Sequence, residues 1–216
     1  MKLVVVNAGT GDPSSTRLLA DRPAQRIAAL ADGIDIQVVD LRAIATDVTT
    51  ALVSQHVAPA LRAAMDAVAA ADGIIAATPV YAAGPSGLFT SFFQVLEPDT
   101  LVGTPVVLAA TAGTGRHALV ADDQMRGMFG YLRAMTVPTA LFAAPEDWAD
   151  AGLTARIDRA AVELIALMQA DGSVEAAWSL ASRSDQQMVR IMQTDMESRF
   201  YHVAVPVLTS NSSPGP

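Results

Sequence analysis

The chain has 216 residues, of which 51% are apolar and 17% charged, and its formal net charge is −8. This balance indicates a chain with a large apolar core, and the negative charge argues against nucleic acid as a partner. Cysteine is absent, which excludes disulfides and thiolate chemistry, so any redox reaction needs a borrowed cofactor. No secretion signal is recognisable and no apolar run reaches the roughly 20 residues that span a bilayer, so we expect a cytoplasmic protein without a membrane partner.

Short β-branched runs alternate with longer segments of helical spacing along the chain. The runs predict strands at residues 2–6, 34–39, 73–78, 105–110 and 137–142. The segments between them predict helices at residues 15–30, 57–71, 87–96, 118–134 and 154–170. Nearly continuous apolar strands and right-handed crossovers together predict an α/β fold with a doubly wound, five-stranded parallel sheet. The expected strand order is the flavodoxin-like 2-1-3-4-5.

Three further segments complete the predicted organisation. Residues 40–55 look like a long connection, to which we assign no role. Residues 1–171 are expected to form the main domain, and residues 172–205 a helical extension in which apolar side chains from Met188 to Phe200 recur at helical spacing. That helix could pack on its own domain, cover a ligand or meet another subunit. Residues 206–216 are rich in Pro, Ser, Gly and Asn and are expected to be a flexible tail.

The segment after the first strand, from Asn7 to Arg17, has the composition of an anion site. Its glycines let the backbone approach a ligand, its hydroxyls donate hydrogen bonds, and a helix N-terminus follows. It lacks the Gly-Lys-Ser/Thr ending of a P-loop, and Ser14 stands where a dinucleotide fingerprint has its third glycine. A monophosphate suits it better, although a helix capped by Ser14 or Ser15 that binds nothing has the same sequence.

The segments after the third and fourth strands share this character, and all three should meet at the carboxyl edge of the sheet. Residues 77–89 contain two prolines and many small residues, which leave backbone groups uncovered for a flat ring. Residues 110–117 are again glycine-rich and precede a helix start. His117, at the end of that segment, could touch a ligand or be an ordinary helix residue. His56 and His202 have no second ligand nearby in sequence, so we predict no metal site.

The combination of these three segments resembles the NADPH-dependent FMN reductase family. The residues that carry the resemblance are Gly9 with Ser14-Ser15-Thr16, Thr78-Pro79-Val80-Tyr81 with Ser86-Gly87-Leu88, and the run from Thr111 to His117. The match covers residues 1–167. It implies a flavodoxin-like fold, FMN as cofactor, NADPH or NADH as hydride donor, a homodimer or homotetramer, and for some members a flavin-dependent monooxygenase as partner.

The resemblance also implies roles for individual residues, none of them an acid or base in catalysis. The FMN phosphate would be held by Gly9, Ser14, Ser15 and Thr16. The isoalloxazine would be flanked by Thr78, Pro79, Val80 and Tyr81. Its pyrimidine edge would be surrounded by Thr111, Gly113 and Thr114, with His117 close by.

One departure from the family pattern concerns the charge of the first segment. Many members carry a basic residue there, whereas this chain has Asp12, so the phosphate must be neutralised from elsewhere, with Arg17 as the candidate. We therefore expect FMN to be held reversibly, as a substrate of an NAD(P)H-dependent FMN reductase. The alternatives are a reductase that keeps FMN bound and reduces quinones, azo or nitro compounds, and a flavodoxin-like electron carrier.

Overall fold

The computed structural model describes residues 1–170. The C-terminal helix and tail expected from the sequence, at residues 172–205 and 206–216, lie outside the described residues. The strands are β1 Lys2–Asn7, β2 Asp35–Asp40, β3 Gly73–Tyr81, β4 Gly84–Pro85, β5 Pro105–Thr111, β6 Met135–Thr136 and β7 Leu141–Ala143. The α-helices are α1 Ser15–Leu30, α2 Ala45–Ser54, α3 Pro59–Ala69, α4 Gly87–Gln94, α5 Arg126–Tyr131 and α6 Ala151–Gln169.

The strands form one sheet in the order β2-β1-β3-β5, with β6 and β7 both pairing beyond β5. All of these pairs are parallel, and only the two-residue β4 runs antiparallel, folding back on the end of β3. If β6 and β7 are taken as one interrupted strand, the main strands follow the predicted order 2-1-3-4-5. The flavodoxin-like fold predicted from the sequence is therefore confirmed.

Two apolar layers cover the faces of the sheet, as the continuous burial of β1 and β3 requires. Helices α1 and α6 pack together on one face, over side chains such as Leu3 and Val5. Helices α2 to α5 cover the other face, where four phenylalanines from α4 and α5 form a cluster of edge-to-face and tilted ring pairs. Within residues 1–170, the loops that follow β1, β3 and β5 lie at the carboxyl edge of these strands.

The expectation of a long loop at residues 40–55 is wrong. A 3₁₀ turn over Leu41–Ile44 is followed by α2, which buries Val48 and Ala51 against the rest of the layer. The sequence misleads here because threonine and serine compete with the backbone for hydrogen bonds and are therefore typical of loops. In α2 the hydroxyl of Thr49 instead donates to the carbonyl of Ala45 at 3.0 Å. Burial of two apolar side chains outweighs the weak helix propensity.

Two other predicted elements are shorter than expected. The helix predicted at residues 118–134 is α-helical only in α5, because a 3₁₀ turn at Gly115–His117 and a π turn at Ala121–Met125 precede it. The strand predicted at residues 137–142 is interrupted between β6 and β7, where Pro138 has no N–H to donate to the sheet.

Side chains replace the missing sheet hydrogen bonds at this interruption. Arg126 donates to the Thr136 hydroxyl at 2.8 Å, to the Val137 carbonyl at 3.0 Å and to the Pro138 carbonyl at 3.1 Å. From the opposite layer, the Glu163 carboxylate accepts the Thr139 N–H at 2.8 Å and the Thr139 hydroxyl at 2.9 Å. The interruption is therefore pinned between α5 and α6.

Replacing Arg126 by alanine should lower the free energy of unfolding by about 2 kcal/mol, because two carbonyls lose a charged donor. Chemical denaturation followed by circular dichroism measures the change. Arg62→Ala is the matched control, since Arg62 is exposed on α3, and its effect should stay within about 0.5 kcal/mol. Equal stability of the two variants would show that Arg126 does not pin the interruption.

Candidate functional site

Three loops meet at the carboxyl edge of neighbouring strands. Asn7 at the end of β1 pairs with Ala77 in β3, and Pro79 near the end of β3 pairs with Thr111 at the end of β5. From β1 the chain crosses to β2 on one side of the sheet, and from β3 it crosses to β5 on the other side. The carboxyl edge between β1 and β3 is therefore the topological switch point at which open α/β sheets bind ligands.

Neighbouring side chains leave little space around Gly9 in the first loop. The Gly9 N–H donates to the Asn7 side-chain carbonyl at 3.1 Å, and a Cβ at Gly9 would collide with the Ser14 hydroxyl. That hydroxyl accepts the Arg17 N–H at 3.2 Å, so Ser14 is the N-cap of α1. The next residue, Ser15, is exposed at the first position of the helix. The loop thus presents the exposed residues Thr10 and Ser15, both of which carry hydroxyls.

Thr16 and Thr111 connect the first loop to the end of β5. Their hydroxyls share a hydrogen bond of 2.7 Å, and both residues are buried. A hydroxyl can both donate and accept a hydrogen bond. After this bond is made, the two hydroxyls together still have one proton to donate and several oxygen lone pairs to accept with. The structure brings together two predicted site residues from segments 95 positions apart.

The second loop is a β-hairpin formed by the ends of β3 and β4. Thr78 is fully buried, accepts the Ser86 N–H at 3.0 Å and donates to the Pro79 carbonyl at 2.9 Å. The Ser86 hydroxyl in turn caps α4 by accepting the Phe89 N–H. Thr78 therefore fixes the hairpin from within, while Val80 is only partly buried and Tyr81 is 55% exposed.

The tip of this hairpin adopts an unusual backbone. Ala82 and Ala83 have φ values of 49° and 62°, both in the left-handed region, between the paired residues Tyr81 and Gly84. Two-residue hairpin turns with two positive φ angles normally use Asn-Gly or Gly-Gly, because a Cβ is strained there. Strain of this kind is found most often where a binding site requires a particular loop shape.

Two side chains hold the tip in this conformation. The Tyr81 hydroxyl forms a 3.1 Å hydrogen bond with the Thr10 hydroxyl of the first loop. On the other side, Gln124 donates its side-chain N–H to the Ala83 carbonyl at 2.7 Å. Gln124 belongs to the π turn, a widened helical turn that is frequent at functional sites. The hairpin tip therefore bridges the first loop and the segment that follows the third.

The third loop runs from β5 into the Gly115–His117 turn. Gly113 and Thr114 are exposed, and the Thr114 hydroxyl accepts the Arg116 N–H at 3.3 Å. His117 is half-buried at the end of the turn. The Gly115 N–H donates to the carboxylate of Glu146, which follows β7, at 3.1 Å. Position 113 has open space where a Cβ would stand, so the backbone here is accessible to a ligand.

A cavity of about 430 Å³ opens beside the first loop. Gly9, Gly11 and Ser14 contribute small groups to its wall, and Arg17 contributes positive charge. Arg17 is also ion-paired with Asp21 at 2.7 Å, one turn further along α1. Small residues, a helix N-terminus and a guanidinium can donate hydrogen bonds to an anion, whereas the carboxylates of Asp12, Asp21 and Asp40 in the same wall oppose one. Within residues 1–170, no three His, Asp or Glu side chains lie close enough to hold a metal ion.

Comparisons with known proteins agree with this geometry. The model of the family described as NADPH-dependent FMN reductase matches residues 1–149. The chain belongs to this family. The resemblance inferred from the three segments is thereby confirmed.

Individual members give the extent of the similarity. The NADH-dependent FMN reductase SfnF of Pseudomonas fluorescens is 35% identical over 77% of this chain and 88% of its own length. An FMN reductase (NADPH) of Pseudomonas aeruginosa is 37% identical over 68% of this chain and 78% of its own. The crystal structure of an oxidoreductase from Corynebacterium diphtheriae superposes with a TM-score of 0.76 at 38% identity, covering 79% of this chain and 98% of that one.

Several residues that build the site do not stand out in the sequence. Asn7 could have been found, because it is a polar residue at the end of an apolar strand. Thr10, Gln124 and Glu146 act through single hydrogen bonds between segments distant in sequence, and no local pattern indicates such pairs.

The structure describes no helix long and apolar enough to cross a bilayer among residues 1–170.

The strained hairpin tip gives a direct prediction. Ala83→Gly should raise the free energy of unfolding by about 0.5–1 kcal/mol, because glycine adopts a positive φ without a Cβ clash. Ala63→Gly, at an exposed position inside α3, should lower it by a similar amount, since glycine weakens a helix interior. Thermal or chemical denaturation compares the two. Destabilisation by both substitutions would contradict the left-handed conformation of Ala83.

Proposed function

We propose that this chain transfers a hydride from NADH or NADPH to FMN and releases the reduced flavin. The observation that carries the proposal is the meeting of three hydrogen-bonded loops at the switch point of the sheet, beside a cavity of about 430 Å³, in a chain that belongs to the FMN reductase family. FMN supplies the chemistry when bound, because its N5 accepts the hydride. The protein therefore needs to bind, orient and shield its two substrates.

The first loop would hold the phosphate end of FMN. Gly9 and Ser14 line the cavity, and Ser15 presents an exposed hydroxyl at the start of α1. Thr16 would act mainly through its bond to Thr111, which keeps the first and third loops at a fixed separation. Arg17 would add positive charge, reduced by its ion pair with Asp21.

The second and third loops would enclose the ring system. Pro79, Val80 and Tyr81 offer the apolar and aromatic surface of the hairpin, with Thr78 fixing its shape. Thr111, Gly113 and Thr114 offer backbone and hydroxyl donors for the pyrimidine edge, where negative charge accumulates on reduction. His117 lies at the end of the same turn. The small side chains of Ala82 and Ala83 would leave one face of the ring open to a nicotinamide.

The same contacts support reversible binding of FMN. Asp12 adds negative charge to the cavity wall, and the ion pair of Arg17 with Asp21 weakens its attraction for a phosphate. A released reduced flavin can serve a flavin-dependent monooxygenase, the partner expected from the resemblance. We also propose that the chain is cytoplasmic and that it assembles into a homodimer or homotetramer. Sedimentation of the purified chain measures the number of subunits.

Steady-state kinetics under anaerobic conditions test the reaction. The rate of NADH or NADPH oxidation should rise with added FMN and saturate, because FMN enters and leaves as a substrate. A reductase that retains FMN behaves differently: it shows double-displacement kinetics with a quinone and no response to added FMN, and this result would overturn the proposal. Unbleached flavin after mixing with both nicotinamide nucleotides would indicate an electron carrier instead.

A further inference from the structure

Arg42 lines the cavity beside the first loop from the 3₁₀ turn that follows β2, and the flavin contacts proposed above do not include it. In the parallel pair of β1 and β2, Asn7 lies opposite Asp40. Gly9 and Arg42 are each two residues beyond this pair, so both leave the sheet at the same edge, from strands that lie roughly 4.8 Å apart. Both residues line the cavity of about 430 Å³. The turn after the edge strand β2 thus places Arg42 in the wall of this cavity.

The backbone of Arg42 is fixed, while its charge is available. The Asp40 carboxylate accepts the Arg42 backbone N–H at 3.1 Å and caps the 3₁₀ turn that begins after β2. Within the part of the chain that the structure describes, the Arg42 guanidinium has no ion-pair or hydrogen-bond partner. Arg17, the other guanidinium of the cavity, is ion-paired with Asp21. Arg42 is therefore the cation of this cavity whose donors are uncommitted.

Three carboxylates also line the cavity, and they determine how much Arg42 matters. Asp21 is ion-paired with Arg17, whereas Asp12 and Asp40 have no ion-pair partner among residues 1–170 and both oppose an anion, since the backbone N–H that Asp40 accepts does not neutralise its charge. With Asp12 in the loop and Arg17 engaged, a doubly charged phosphate needs a further cation to enter. Arg42 is placed to supply it from the turn after β2.

We propose that Arg42 binds a phosphate monoester in this cavity and sets the preference of the site for phosphorylated over unphosphorylated ligands. This inference rests on the proposed function, which supplies two sources of such a group: the 5′-phosphate of FMN and the 2′-phosphate of NADPH. A guanidinium donates two parallel hydrogen bonds to either one. Riboflavin is FMN without the 5′-phosphate, and NADH is NADPH without the 2′-phosphate. Each is therefore the control ligand for its phosphorylated counterpart.

Binding and kinetic measurements on Arg42→Gln separate the two sources. If the group is the FMN phosphate, fluorescence titration should show the dissociation constant for FMN rising about tenfold while that for riboflavin stays within about twofold. If it is the 2′-phosphate, the KM for NADPH should rise about tenfold and the KM for NADH stay within about twofold. Either pattern supports the proposal and identifies the source.

Two further variants serve as controls. Arg62→Gln on the exposed surface of α3 makes the same change in net charge away from the cavity. It should leave unchanged both the ratio of the dissociation constants for FMN and riboflavin and the ratio of the KM values for NADPH and NADH. Asp12→Asn removes a negative charge that opposes the phosphate. Whichever of the two ratios Arg42→Gln raises should therefore fall in Asp12→Asn, by roughly threefold.

The outcomes that contradict the proposal differ from those that contradict the function. If the wild-type chain binds FMN but Arg42→Gln changes neither ratio, or weakens riboflavin as much as FMN, Arg42 does not recognise a phosphate. If the wild-type chain binds neither flavin nor NADPH, the proposed function fails and this inference fails with it.

Discussion

The hydrogen bond between the buried hydroxyls of Thr16 and Thr111 is the contact on which the rest of the site depends. It joins the start of α1 to the end of β5 across the intervening strand β3, so the first and third loops hold a fixed separation. The hairpin of β3 and β4 fills the space between them and is tied on both sides, to Thr10 through Tyr81 and to Gln124 through Ala83. The three loops therefore behave as one connected rim.

Side-chain hydrogen bonds between segments distant in sequence also hold the irregular half of the sheet. Where Pro138 interrupts the last strand, Arg126 and Glu163 supply hydrogen bonds that the sheet lacks. Arg126 follows directly after the π turn that carries Gln124. The segment that holds the hairpin tip is thus anchored at its other end to the sheet. Long-range polar contacts, added to a regular apolar core, give this fold its particular rim.

The sequence was sufficient for the features that depend on local pattern. Apolar continuity in β1 and β3 predicted a parallel sheet, and glycine, proline and hydroxyl residues at three strand ends predicted where the loops would meet. It was insufficient where burial overrides propensity, as in α2, and where Pro138 breaks a strand that otherwise looks continuous. The left-handed tip at Ala82 and Ala83 could not be predicted, because nothing in two alanines indicates a positive φ.

The most direct test of the account is a crystal structure of the chain with FMN. We expect the phosphate in the cavity lined by Gly9, Gly11 and Ser14, and the ring between the Tyr81 hairpin and the loop that contains Gly113. A flavin bound elsewhere, for example in the apolar groove that Phe93 and Tyr131 line between α4 and α5, would contradict the claim that the rim of the sheet is the flavin site.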